Sequence, residues 1–388
     1  MTIGHPVYAT MPTTIFEVMS GLSRETGAIN LGQGFPDGNG PEALRAAAAR
    51  ALMERSNQYP PSAGLPELRD AVAAFYARRQ GLALVRDNVT ITSGATEGIA
   101  AAVLALVEPG DEVILFAPAY DAYAPMVRRC GGVPVFVPLH PPAFGYDADA
   151  LAAAISPRTR LLMINDPLNP AGTVAREADL AMIAGLCLTH DLTVISDEVW
   201  EEVRFDGARH RSLMSFPGME DRVVKIGSAG KIFGLTGWKI GWLVAGDVLS
   251  TLVRRAHQFV TFTTAPALQW AVAEGLDAGD ALLDATRSEW AQQRGVLARG
   301  LEQAGFVLLP NAATWFLCAD LAASGVLLGD RDFAARAVHE ARVATIPVSA
   351  LYEGTEAPTH VLRFCFTKPP AILDEGCARL SAFRAALG

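Results

Sequence analysis

Two lysines stand eight residues apart in the segment GSAGKIFGLTGWKIGW, residues 227–242, of a chain that otherwise hardly uses lysine. Lys225, Lys231, Lys239 and Lys368 are the four lysines among 32 basic residues, and the remaining 28 are arginine. Both side chains carry positive charge. Only the lysine amine can lose its proton near neutral pH and act as a nucleophile. Lysine kept in this stretch of an arginine-preferring chain therefore raises the prospect of amine chemistry.

Three other segments place polar groups where chemistry could use them. In LTVISDEVW, Asp197 ends an apolar run, a costly position for a carboxylate without a partner. By itself it fits a helix cap, a structural ion pair, or a fixed anion holding a protonated ring nitrogen on a ligand. In TSGATEG (92–98), Gly94, Ala95 and Thr96 would offer backbone N–H groups and a hydroxyl at a positive helix terminus, which suits a phosphate; an ordinary strand-to-helix turn capped by Thr96 is the other reading. In NDPLNPAG (165–172), prolines at 167 and 170 stiffen a loop that would aim Asn169 toward the strand ends. The chain lacks the G-x-x-x-x-G-K-[ST] spacing of a P-loop and the G-x-G-x-x-G of a dinucleotide site.

These segments must be held by regular structure, and the apolar pattern says which kind. Short Val/Ile/Leu-rich runs at 88–94, 111–118, 133–139, 160–165, 192–197, 223–228 and 239–246 read as seven strands. Helically spaced segments at 96–108, 120–131, 147–155 and 176–190 lie between most of them. Strands alternating with helices predict an α/β fold: a large domain whose mostly parallel seven-stranded sheet lies between helices. The segment ALLDATRSEWAQQRGVLARGLEQAG (281–305) reads as a long helix, followed by strand-like TWFLCADL and VLRFCFT. The expected boundaries are 1–45 for an N-terminal arm and part of a small α+β domain, 46–280 for the large domain and 281–388 for the rest of the small one. Ligands in such sheets bind at the carboxyl ends of strands, where every segment above falls.

Composition narrows the partners. A formal net charge of −9 with no basic run argues against binding a phosphate backbone. The amino terminus lacks the pattern of a secretory signal, and the apolar run 98–107 is about half a membrane span. Five scattered cysteines without a C-x-x-C pair fit reduced thiols, giving a cytoplasmic expectation with no metal site.

Taken together and in order, the motifs resemble the fold-type I pyridoxal-phosphate enzymes, specifically the class I/II aminotransferases. The likeness runs from NLGQGFPDGNGP (30–41) and QYPPSAGLPELRDA (58–71), through APAYDAY (117–123), NDPLNPAG, SDEV and GSAGKIFGLTGWKIGW. It ends with IPVSALY (346–352) and LRFCFTK (362–368). It is nearest to the branch of kynurenine/glutamine, methionine and succinyldiaminopimelate aminotransferases. The resemblance implies that Lys231 is the Schiff-base lysine, which also moves the substrate α-proton, and that Asp197 keeps the pyridine nitrogen of pyridoxal 5'-phosphate protonated. It implies that Gly94, Ala95, Thr96, Ser228 and Lys239 hold the phosphate. Tyr59 would reach that phosphate from the other subunit of a homodimer, and Tyr120 would stack on the ring. Arg363, Asn169, the Gly34 N–H and Phe35 would hold the amino-acid substrate, with Asn169 also donating to the phenolic oxygen. Trp200 departs from the pattern, which has tyrosine there, but is expected to line the site.

The same resemblance predicts transfer of an amino group between an amino acid and a 2-oxo acid. The neutral character of 259–267, with Phe35, Thr96, Tyr123, Phe262 and Tyr352 as candidate walls, favours a neutral amino acid. Arg254, Arg255 and His257 keep an acidic substrate such as succinyldiaminopimelate open. A carbon–sulfur β-lyase is the alternative reaction on the same site.

Overall fold

The computed structural model describes residues 4–387. The seven apolar runs are seven strands: β1 (Val89–Thr92), β2 (Glu112–Ala117), β3 (Val133–Pro138), β4 (Thr159–Asn165), β5 (Thr193–Asp197), β6 (Val223–Ser228) and β7 (Gly241–Val244). They form one sheet in the order β1-β7-β6-β5-β4-β2-β3. Of the seven, β7 alone runs opposite to the rest. Six of the strands are mostly or wholly buried, because helices cover both faces; β3, at one edge, keeps its first residue exposed.

Most element ends shift slightly from the sequence reading, and two of the shifts have a local cause. The last strand begins at Gly241, because Lys239 adopts a left-handed backbone (φ 54°) that closes a short helical turn before it. The segment after β2 stays irregular through Ala122, so its helix is Tyr123–Arg129. The long helix is Asp280–Gln303.

The remaining strands tie the chain ends together. Val307–Leu308, Phe316–Asp320, Val361–Cys365 and Ile346–Pro347 make a four-stranded antiparallel sheet. Ile29–Asn30 pairs in parallel with Val343–Ala344, bringing the segment 30–41 beside that sheet. Register then aligns the functional ends of the large sheet. Asn165 faces Asp197, which faces Ile226, while Ser228 and Thr92 both pair with Gly241.

Candidate active site

At those strand ends lies a cavity of about 240 Å³ lined by Gly94, Ala95, Thr96, Tyr120, Tyr123, Asn169, Asp197, Trp200, Ser228, Lys231 and Lys239, among others. Residues separated by up to 145 positions thus meet in one place. A second cavity of about 490 Å³ adjoins it, with Tyr120, Asn169, Trp200 and Lys231 lining both, and Gly34, Phe35, Asp121, Phe316 and Arg363 lining the second but not the first.

One end of the first cavity is built for an anion. The turn Ser93–Gly94 leads into the 12-residue helix Ala95–Leu106, whose first N–H groups have no partner within the helix. Gly94 has φ +81°, and a Cβ there would lie 3.1 Å from the Lys239 Nζ. A Cβ on Gly241 would lie 2.7 Å from the Ala95 nitrogen. Both glycines are therefore required for lysine, strand and helix terminus to converge.

The other end is acidic. Asp197 is buried, and its Oδ2 accepts a 2.5 Å hydrogen bond from the Tyr123 hydroxyl. Burial lifts this carboxyl above its ordinary pKa, against the Tyr123 bond and the Lys231 charge. A protonated ring nitrogen beside it would restore the anion. Tyr123, expected as a substrate wall, is instead the partner that orients Asp197.

The segment that carries Asp197 is locked from behind. Lys225 on β6 is fully buried and donates to Glu198 and, at 2.6 Å, to Glu201. Glu198 also accepts from Ser196 and Ser212, at 2.8 and 2.7 Å, and pairs with His210 at 2.7 Å. Burial alone would raise Glu198, yet Lys225 and His210 hold it well below the usual carboxylate range. Glu201 accepts from Tyr76 at 2.7 Å, and Glu202 takes both arms of Arg79. Residues 197–202 are thereby fixed at three carboxylates, which positions both Asp197 and Trp200.

Between the two ends, the Lys231 amine lies 4.7 Å from the ring centre of Trp200 and 4.9 Å from that of Trp315. Burial among these rings, opposed by Asp197 and helped by Arg363 and Lys239, lowers its pKa from 10.5 to about 8. The neutral amine needed for imine chemistry is accessible. Trp200 is 3% exposed and packs edge-on against Trp315 and Phe316, at 5.0 and 5.4 Å between centroids.

In the second cavity Arg363 Nη1 donates to Asn169 Oδ1 at 3.0 Å and Nη2 to the Gly32 carbonyl at 2.6 Å. Its Cζ lies 3.9 Å from the Phe316 ring centre, and Nε is buried without a partner. Because guanidinium only donates, the facing atom of Asn169 must be its oxygen, which leaves the amide N–H groups for the cavity. Asn169 is set by its backbone N–H bonding Asn165 Oδ1, while Asn165 donates to the Asp197 carbonyl, at 2.8 and 3.0 Å.

Several expected residues lie elsewhere. Tyr59 is 83% exposed and meets only the edge of Phe262, at 5.4 Å, so one chain does not bring either to the cavities. Tyr352 lines a third cavity and donates to the Leu139 carbonyl. Arg254 is bound to the Asp87 carbonyl at 2.6 Å, Arg255 faces solvent, and His257 is enclosed. Asp121, which the sequence reading passed over, lines the second and third cavities; its place between Tyr120 and Tyr123 in APAYDAY was the available signal.

The lining suits pyridoxal 5'-phosphate: a glycine-cleared anion cradle, a buried carboxylate awaiting a cationic donor, and an amine of lowered pKa between them. Comparison with known proteins gives the same answer. Residues 26–380 match the sequence profile described as aminotransferase class I and II. A probable N-succinyldiaminopimelate aminotransferase of Mycobacterium tuberculosis is 44% identical over 380 residues, 95% of this chain and 96% of that protein. The methionine aminotransferase of Escherichia coli is 38% identical over 369 residues, covering 95% of each. A solved structure of N-succinyldiaminopimelate aminotransferase from Mycobacterium tuberculosis superposes with a TM-score of 0.94 at 43% identity, over 98% of this chain and 99% of that one. By its site chemistry and by likeness along nearly its whole length, the chain belongs to the class I and II aminotransferases and is a pyridoxal-phosphate-dependent transaminase.

Proposed function

We propose that this transaminase acts on neutral amino acids with extended side chains, as a homodimer with shared sites. The observation that carries the substrate reading is the charge around Arg363. Besides Arg363 and Lys231, the charged side chains lining the second cavity are Glu17 and Asp121, both acidic. A side-chain carboxylate there would meet like charge and no second cation. Glu17 is paired with Arg24 at 2.8 Å, which leaves Asp121 as the main repelling group and a candidate acceptor for a substrate N–H.

A longer acidic substrate is the second reading, because one observation favours it. A third cavity of about 820 Å³, sharing Thr14, Tyr120 and Asp121 with the second, is lined by Arg128 and Arg331. A distal carboxylate could pass Asp121 and reach them, as the name of the 44%-identical relative suggests. Arg128 is already paired with Glu353 at 2.5 Å, which weakens this reading. Following the visible absorbance of the holoenzyme on mixing with single amino acids decides between them. Methionine, glutamine, kynurenine or aromatic amino acids should react at least about 10²-fold faster than aspartate, the cost of an unpaired charge in a confined site. Fastest reaction with aspartate or glutamate would sink the proposal, and preference for succinyldiaminopimelate would select the second reading.

Bound cofactor supplies an electron-accepting ring that stabilises negative charge at the substrate α-carbon. The residues then have separate tasks. Arg363 and Asn169 hold the α-carboxylate, with the Gly34 N–H and Phe35 beside them. Lys231, its pKa near working pH, takes the α-proton. Asp197 would keep the ring nitrogen protonated, and Tyr120, lining the same cavity, would pack against the ring. Gly94, Ala95, Thr96, Ser228 and Lys239 hold the phosphate.

Dimerisation is supported by an exposed apolar group in which Tyr59 and Phe262 touch and Phe259, 87% exposed, belongs to the same segment as Phe262. Covering it with a second copy would also explain a tyrosine otherwise remote from the cavities. The five cysteines are unpaired and four are buried, which supports a reducing compartment.

Trp200 alters the electronics of the site. Indole offers one N–H donor and cannot reproduce the reach of a phenol. Trp200→Tyr is expected to lower the midpoint of the pH-dependent visible absorbance of the holoenzyme by about one unit, the worth of one hydrogen bond to a charged oxygen. An unchanged midpoint would refute a role for Trp200 in tuning it.

A further inference from the structure

His257 was a candidate for reading an acidic substrate, but the structure gives it other partners. The ring is wholly buried at the end of the helix Asp247–His257. Its Nδ1 lies 2.8 Å from Glu97 Oε1 and its Nε2 2.8 Å from the Ser62 carbonyl oxygen. A carbonyl can only accept, so Nε2 carries a proton; a carboxylate also accepts, so Nδ1 carries one too. An imidazolium facing a carboxylate satisfies both contacts. Burial and the nearby Arg254 oppose that charge, but the Glu97 bond and charge outweigh them and raise the His257 pKa.

The partners give the pair its meaning. Glu97 lies in the first turn of the helix that begins at the anion cradle, and its second oxygen, Oε2, accepts from the Ser93 N–H at 3.0 Å. One carboxylate thus spans from the cradle turn to the imidazolium. Ser62 lies three residues beyond Tyr59, in a segment also tied to β1 through Ile91 N–H to Ala63 and to Gln269 through the Leu65 N–H, at 2.9 and 2.8 Å. Glycine at 94 makes the turn permissive, so something else must fix it. Thr92 restrains Gly94 through its hydroxyl, 3.0 Å from the Gly94 carbonyl, and its own carbonyl, which accepts from the Gly94 N–H at 2.8 Å, while Glu97 restrains the Ser93 N–H.

We infer that the buried Glu97–His257 pair is a positioning device for the phosphate cradle, holding the Ser93–Gly94 turn and the Tyr59-bearing segment in a fixed relation. Neither residue lines the first cavity. Their effect reaches it through backbone N–H groups, and so bears on the phosphate and not on the ring. The inference rests on the cradle assignment made above.

The experiment separates phosphate from ring. Full-length protein freed of cofactor is titrated with pyridoxal 5'-phosphate and, separately, with pyridoxal, following visible absorbance. In the wild type the ratio of the two affinities measures what the cradle adds. His257→Leu leaves the Glu97 charge buried without its partner and should cut that ratio by about 10–100-fold, the range for one or two hydrogen bonds involving a charged group. Affinity for pyridoxal itself should change by less than a factor of about three, within ordinary context effects. His257→Gln, which keeps one donor and a similar size, should restore part of the ratio and serves if the leucine variant does not fold. An unchanged ratio in the glutamine and leucine variants, or equal weakening of both ligands, would overturn the inference in favour of a purely structural pair. A wild type that shows no preference for the phosphorylated ligand would instead refute the cradle assignment.

Discussion

Lys231→Arg is expected to be as inactive as Lys231→Ala, with kcat for transamination reduced at least about 10⁴-fold in both. The two substitutions separate charge from chemistry. Arginine keeps the cation near Asp197 and above Trp200, but it cannot lose its proton at working pH or form an imine. If the lysine served only to balance Asp197, arginine would rescue much of the rate. Stopped-flow absorbance of each half-reaction measures this directly, and more than about a hundredth of wild-type rate in Lys231→Arg would contradict the assignment.

The same side chain makes a separate prediction about stability. Its pKa is about 8 in the folded chain against 10.5 as an ordinary lysine. Between those values the unfolded chain binds more protons, so stability rises with pH across that window and the full burden is felt below it. Cofactor-free Lys231→Met keeps the stem's apolar contacts and removes the amine. It should therefore be more stable than the cofactor-free wild type by up to about 3 kcal/mol near pH 7. The advantage should fade as pH climbs toward 10.5. Denaturant unfolding at several pH values checks both size and sign; a constant difference would remove the buried amine as its cause.

Such strain marks where local reasoning about this chain stops and tertiary structure takes over. The seven strands were legible because each is a short apolar run ended by turn residues, and burial on both faces leaves little room for another pattern. The glycine-rich lead into Ala95–Leu106 and the lysine in GSAGK were legible for the same local reason. Tyr123 was not: its hydroxyl meets Asp197 across 74 residues, and nothing near it in sequence says that it faces an acid. Lys225 was noticed for its residue type alone, since only the fold shows it buried between Glu198 and Glu201. His257 and Arg254 looked like substrate cations because they neighbour the neutral segment 259–267, yet the helix carrying them turns one into the core and the other onto the Asp87 carbonyl. Long polar side chains have the reach to choose among partners that only the assembled sheet presents. Apolar periodicity has no comparable freedom.

Arg363→Lys tests the other large effect, recognition of the α-carboxylate, with an expected loss of about 10²–10³ in kcat/KM for the amino donor. The native guanidinium spends Nη1 on Asn169 and Nη2 on Gly32, yet retains a buried Nε and further N–H groups, and its Cζ sits 3.9 Å from the Phe316 ring centre. Lysine would keep the charge but give up the planar fork, leaving Asn169 Oδ1 or the Gly32 carbonyl without a donor. Because the carboxylate is held before and during reaction alike, the loss should fall mainly on KM and spare kcat. Both half-reactions should suffer together, since the amino donor and the 2-oxo acid acceptor present the same group. A donor amine lacking the carboxylate supplies the control. Wild-type enzyme should prefer the amino acid strongly over its decarboxylated analogue, and Arg363→Gln should shrink that preference by about the same 10²–10³-fold while the analogue's own slow rate stays nearly constant. Equal losses for both would mean that Arg363 supports the architecture of Asn169 and Phe316 without reading the carboxylate.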